Sequence, residues 1–160
     1  MLTWMAKAIA TAFGPGYSPI APGTCGTAAA VPLAWLLRDL SLPLFALICA
    51  AVTAIGIVAA ELADRAWGTH DNGRIVIDEV AGLLVTVALV DRSSFWVLLA
   101  GFGVFRFFDV VKPPPVRAID DKLGGGVGVV LDDVAAGFMG CAVMVALDAL
   151  GFFSWLAQLS

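Results

Sequence analysis

Polar residues divide this chain into apolar runs of unequal length. Residues Ala8 to Leu37 carry no charge, but Pro15, Pro19 and Pro22 interrupt the stretch, so only Gly26–Leu37 reads as a clean apolar helix, kinked at Pro32. Leu40–Ala60 holds 21 residues without a charge and is the best single membrane span. Val80–Val90, Ser93–Phe105 and Val134–Leu147 are shorter, and Phe152 and Trp155 follow the last after Asp148. Eleven helical residues cover only about 16 Å, half a bilayer core. Val80–Val90 therefore extends into its polar flanks, tilts, or joins Ser93–Phe107 as a re-entrant hairpin. Met1–Ala12 predicts a short interfacial helix, and Gly14-Pro15-Gly16 follows it rather than a signal-peptidase site. Period-two alternation is absent over any useful length, so the pattern predicts an all-α fold.

Composition turns these runs from core helices into membrane helices. Of 160 residues, 61% are hydrophobic and only 14% are charged, too few to cover the surface of so small a domain. Mean hydropathy is +0.96. Disordered chains and ordinary soluble globules are excluded, and a multihelical integral membrane protein is expected, one compact domain over residues 1–160. The net charge of −4 excludes a basic nucleic-acid footprint. Cys25, Cys49 and Cys141 form no CxxC pair and read as small hydrophobes rather than metal ligands.

If the runs alternate sides, one side collects Lys7, Arg65, Arg74, Arg106, Lys112, Arg117 and Lys122, and the other only Arg38 and Arg92. The positive-inside rule makes the first side cytoplasmic. Ten of the 13 acids fall there too. That rule does not account for clustered carboxylates, so they call for a chemical reason.

Four polar segments face that side. Ser18–Thr27 mixes hydroxyls, glycines and prolines ahead of a helix. It could be a capped turn, or a loop whose backbone N–H groups approach an anion. Asp78-Glu79 opens an apolar helix, where two unpaired acids would be costly. Arg106, Asp109 and Lys112 share one side of a helical turn. Asp132-Asp133 follows the glycine-rich stretch Gly124–Gly128, repeats the paired-acid arrangement, and leads into the small residues Ala136, Gly137 and Gly140, a surface for close helix packing. Asp78, Glu79, Asp109, Asp132 and Asp133 would repel one another unless a cation binds, and an all-oxygen set suits Mg²⁺ or Mn²⁺. Arg106 and Lys112 add the positive charge that a phosphate ligand needs.

Covalent phosphatase chemistry is excluded by what the chain lacks. No cysteine has the nearby arginine of a Cys-based enzyme. Asp109 lacks the second aspartate of an Asp-x-Asp site, and one histidine, His70, cannot supply a histidine-based lipid phosphatase. The Asp-x-x-Asp-Gly pattern of CDP-alcohol phosphotransferases is absent as well. Metal-held water attacking a phosphoryl group remains.

The ordered motifs Ser18-Pro19-x-Ala21-Pro22-Gly23-Thr24-x-Gly26-Thr27, Ile77-Asp78-Glu79-x-x-Gly82, Phe105-Arg106-x-Phe108-Asp109-x-x-Lys112-Pro113 and Leu131-Asp132-Asp133-x-x-Ala136-Gly137 resemble those of the phosphatidylglycerophosphatase A family. The resemblance runs from about Phe13 to Gly140. It implies an all-helical, Mg²⁺-dependent membrane phosphatase that converts phosphatidylglycerophosphate to phosphatidylglycerol. It further implies Asp78, Glu79, Asp109, Asp132 and Asp133 as the metal and catalytic set. Ser18, Thr24, Thr27, Arg106 and Lys112 become phosphate contacts. The location implied is a bacterial inner membrane with the site facing the cytoplasm, and a homo-oligomer is compatible with it. Two rival classes are a small ion transporter, which places acids at mid-span, and a non-catalytic assembly subunit, which gives no reason for paired acids.

Overall fold

The computed structural model describes residues 1–158, and among these it is all helical, with no strand. In chain order the helices are α1 (Leu2–Ala10), α2 (Pro22–Leu36), α3 (Leu42–Trp67), α4 (Ile77–Thr86), α5 (Phe95–Val111), α6 (Val116–Lys122), α7 (Gly125–Ala149) and α8 (Phe152–Ala157), with a 3-10 turn at Pro15–Tyr17.

The longest charge-free run becomes the longest helix. α3 has 26 residues and continues past Ala60 through Glu61, Asp64 and Arg65, ending where Gly68 turns into the left-handed region at φ 68°. α7 has 25 residues. Both are long and apolar enough to cross a bilayer, and only 22% of the most apolar stretch of α3 is buried. Leu44, Leu47, Ile55 and Val58 on α3, and Phe138 and Val145 on α7, stand exposed. A soluble protein this small would leave such a surface unstable in water, whereas lipid covers it without cost.

The short run at Val80–Val90 extends into its polar flank at Asp78-Glu79 and joins the next run, as the pattern allowed. α4 is only ten residues long, about 15 Å, and nine of them are buried. It turns back into α5 through residues 87–94, so the two form a hairpin, but protein rather than lipid surrounds the short arm. Two helix starts also lie earlier than the apolar pattern suggests. α2 begins at Pro22, since proline at N1 loses no hydrogen bond. α7 begins at Gly125, seven residues before Asp132. The acid pair therefore sits two turns inside the helix rather than at its start. The glycines there are packing residues: a Cβ on Gly126 would strike the Ile57 carbonyl and the Glu61 backbone of α3. Intrinsic glycine propensity disfavours this helix start, and tertiary packing overrides it.

The two ends of the bundle differ chemically. At one, Arg92 is buried and donates to the carbonyls of Ala88 (2.8 Å), Leu40 (3.0 Å) and Arg38 (3.4 Å), closing the C-terminal ends of α2 and α4. At the other, the N-termini of α2, α4 and α7 meet the C-termini of α3 and α5, together with α6.

Candidate active site

The acids meet because α4 and α7 pack through small residues. A Cβ on Gly137 would lie 2.5 Å from the Gly82 carbonyl, and one on Gly140 would lie 3.0 Å from Thr86. Thr86 Oγ1 donates to its own helix at Gly82 (2.9 Å) and across to the Gly137 carbonyl (3.4 Å). Thus Gly82 faces Gly137 and Thr86 faces Gly140, so the helices run the same way, and one turn earlier Asp78 comes beside Asp133. One carboxylate oxygen from each of Asp78, Glu79 and Asp133 lies within 4.8 Å of the others. Asp78 and Asp133 are buried, 9% and 4% exposed.

The two acid pairs share a local geometry. Asp78 accepts the Glu79 N–H at 3.0 Å, and Asp132 accepts the Asp133 N–H at 2.9 Å. Glu79 Oε2 is buried with no hydrogen-bond partner. An unpartnered carboxylate oxygen in a group of three is the arrangement a hard divalent cation satisfies, so the residues fit Mg²⁺.

α5 contributes the cation. Arg106 pairs with Asp109 three residues on, and its Nη1 lies 3.7 Å from Glu79 Oε1. The start of α2 closes the site from the other side. A Cβ on Gly23 would collide with the Glu79 carboxylate and approach Arg106 Nη1. The Gly23 and Thr24 N–H groups are among the first of α2 and have no intrahelical acceptor, so they add positive potential.

Lys112 and Asp132 stand apart from this group. Lys112 follows α5 with φ 45°, which swings its ammonium to Asp132 (2.7 Å) and Asp120 of α6 (2.9 Å). Burial alone would pull that ammonium down, but these two carboxylates outweigh it and hold Lys112 above the ordinary lysine range. Ser18 and Thr27 also have local partners. Ser18 Oγ donates to the Ile20 carbonyl at 2.8 Å, and buried Thr27 donates to the Gly23 carbonyl at 2.9 Å. Both shape the loop and the α2 start. Thr24 is exposed beside Gly23.

Three contributors escape a reading of the sequence. Gly23 stands in the first motif, but nothing local marks it as the residue that meets Glu79. Asp120 has no motif to mark it. Buried Asp64 accepts from Thr69 Oγ1 (2.9 Å), Asp71 N–H (2.7 Å) and Asn72 N–H (3.0 Å), fixing the loop that leads into α4. Val76 N–H then ties that loop to the Ala10 carbonyl at 2.8 Å. Asp64 precedes its partners by five to eight residues, a spacing that belongs to no short turn signature.

Two helices long and apolar enough to span a bilayer, with carboxylates and one arginine gathered at one end of the bundle, place this chain among helical proteins suited to a membrane, with a charged cluster at one end. The profile of the phosphatidylglycerophosphatase A family matches residues 8–148. The Escherichia coli protein named phosphatidylglycerophosphatase A is 35% identical over 136 residues, 85% of this chain and 79% of that one. The Haemophilus influenzae protein of the same name is 36% identical over 141 residues, 88% of this chain and 86% of that one. A Bacteroides thetaiotaomicron protein provisionally named a phosphatidylinositol-3-phosphatase is 39% identical over 137 residues, 81% of this chain and 84% of that one. No solved structure matches significantly. The chain belongs to the phosphatidylglycerophosphatase A family.

Proposed function

We propose that this protein hydrolyses the terminal phosphomonoester of phosphatidylglycerophosphate to phosphatidylglycerol, with Mg²⁺, at the cytoplasmic face of a bacterial membrane. The observation that carries the reading is the meeting of Asp78, Glu79 and Asp133, with the orphaned Glu79 Oε2, beside Arg106 and the start of α2. Family membership supplies the substrate class.

Asp78, Glu79 and Asp133 would hold the ion. When bound, Mg²⁺ supplies Lewis acidity and charge neutralisation for the phosphoryl oxygens. Arg106, oriented by Asp109, offers forked donors to the same oxygens. The Gly23 and Thr24 N–H groups face the charge that develops on the phosphoryl group. Water attacks phosphorus in line and gives a proton to a carboxylate of the set, the P–O bond to the lipid breaks, and that carboxyl passes its proton to the departing alkoxide, regenerating the carboxylate. The Lys112–Asp132–Asp120 group holds the chain after α5 against α6 and α7, which sets the position of Asp133 next to Asp132.

The Bacteroides relative favours a second reading, a 3-phosphoinositide substrate. Both readings share a phosphomonoester on a glycerophospholipid headgroup. Purified protein is assayed for phosphate release from each lipid, with Mg²⁺ and with excess EDTA. Release from phosphatidylglycerophosphate that stops with chelator and returns with Mg²⁺ is the expected result. Full activity in chelator removes the metal, and release from the inositol lipid alone replaces the substrate. Release from neither lipid ends the phosphatase reading in favour of a transporter or assembly subunit.

A further inference from the structure

We infer that the seam between α2 and α5 seats an acyl chain of the lipid whose headgroup enters the site; this rests on the lipid phosphatase reading above. Phe95, Leu99, Phe102, Arg106 and Asp109 follow one another at spacings of four, three, four and three residues, so they form one stripe along α5. Thr24, Ala28 and Val31 form the matching stripe on α2. Between the apolar parts of these stripes lies a crevice of about 300 Å³ lined by Ala28, Val31, Phe95, Leu99 and Phe102. One helical turn beyond it stand Arg106 on α5 and Thr24 on α2, where Gly23 approaches the Arg106 guanidinium.

Length and polarity select the occupant. From Arg106 to Phe95 is eleven residues, about 16 Å of helix, or close to one leaflet of a bilayer core. The site end of the stripe is cationic and rich in N–H donors, and the rest is apolar, which matches an anionic headgroup with its tail. Four larger crevices have no residue of α5 in their walls, and those of about 370 and 430 Å³ lie along α1. The one of about 490 Å³ is lined by Ile77 and Val80, which project from the side of α4 opposite Asp78 and Glu79. The one of about 530 Å³ includes Leu42 and Leu89, toward the Arg92 end.

Ala28 is exposed and small, so Ala28→Trp fills the crevice without displacing a packed neighbour. Phosphate release is measured from dioleoyl phosphatidylglycerophosphate and from its deacylated headgroup, glycerophosphoglycerophosphate. The variant should lower kcat/KM at least tenfold on the dioleoyl lipid and leave the deacylated compound within twofold of wild type. An equal effect on both substrates, or none on either, overturns the seating. A second measurement covers a misfolded variant. Wild-type protein is photolabelled with phosphatidylglycerophosphate carrying a diazirine midway along an acyl chain. Label concentrated on α2 and α5 peptides supports the seam, and label spread equally over α3 and α7 overturns it. A wild type that binds and labels at the seam yet releases no phosphate refutes the phosphatase reading while the lipid seat stands.

Discussion

Gly137 lies against the carbonyl of Gly82, and this contact sets how close Asp133 comes to Asp78. The acid cluster therefore depends on two residues that carry no charge and lie one turn below it. Gly137→Ala places a methyl 2.5 Å from the Gly82 carbonyl and 3.1 Å from Val85 Cβ, so α4 and α7 must separate. Overpacking of this kind costs about 1–3 kcal/mol. The variant should unfold at lower temperature in detergent and lose activity together. Gly103→Ala is the matched control. Nothing lies within 4 Å of its Cβ, so stability should hold or rise by up to about 1 kcal/mol through helix propensity. Equal melting temperatures for the Gly137 variant and wild type would show that the seam is not as tight as described.

Lys112 and Asp132 supply the second prediction. Asp132 is buried and Lys112 is its cation, with 32% of the lysine side chain open to solvent. Breaking a buried pair costs about 3–5 kcal/mol, and this partly open pair should fall below that range. Lys112→Ala should lower catalytic efficiency more than tenfold, above about 1.4 kcal/mol of transition-state stabilisation. Lys112→Arg should restore part of it, because a cation remains beside Asp132. The double variant Lys112→Ala with Asp132→Asn should recover thermal stability relative to the lysine variant alone, since no buried charge is left unpaired and Asp120, which also loses Lys112, is open to solvent. If Lys112 only anchors the chain to lipid headgroups, Lys112→Ala would show wild-type kinetics on a short-chain, detergent-dispersed substrate.

The residues that were legible in the sequence and those that were not differ by what determines them. Charge-free length marks α3, because lipid tolerates few charges along a span. Paired acids in apolar surroundings mark Asp78-Glu79 and Asp132-Asp133, because their cost without a partner is high. Ala136, Gly137 and Gly140 read as a packing face, and α4 packs there. Helix starts were less legible. Pro22 and Gly125 look like loop residues locally, and only contacts with distant segments make them helical. The division among the acids was also hidden. Asp132 pairs with Lys112 and Asp133 joins Asp78 and Glu79, and adjacent residues on a helix point about 100° apart, so two neighbours serve two different groups. Hydroxyl roles were least legible, since the bonds of Ser18 and Thr27 to carbonyls two and four residues away depend on the local backbone path.

Orientation gives the last prediction. The fold gathers Arg106, Lys112, Arg117 and Lys122 with the acid cluster at one end, and leaves Arg38 and Arg92 at the other. The positive-inside rule predicts that the first end faces the cytoplasm, where a phosphorylated lipid made inside the cell would meet it. Cys49 and Cys141 are buried and Cys25 is partly so, and all three are replaced by alanine first to remove background labelling. Single cysteines are then placed at Asn72, in the loop before α4, at Ala118, on α6, and at Asp39, beyond α2. Asp39 and Ala118 are exposed and Asn72 is half-buried, so the labelling of opened cells, which must succeed at 72 and 118, separates the membrane from burial. An impermeant thiol reagent applied to intact cells should label the cysteine at 39 and leave those at 72 and 118 unlabelled until the cells are opened. The reverse pattern would put the acid cluster outside the cell. The seven-to-two division of basic residues would then need another cause, such as charge balance against the acids at the same end.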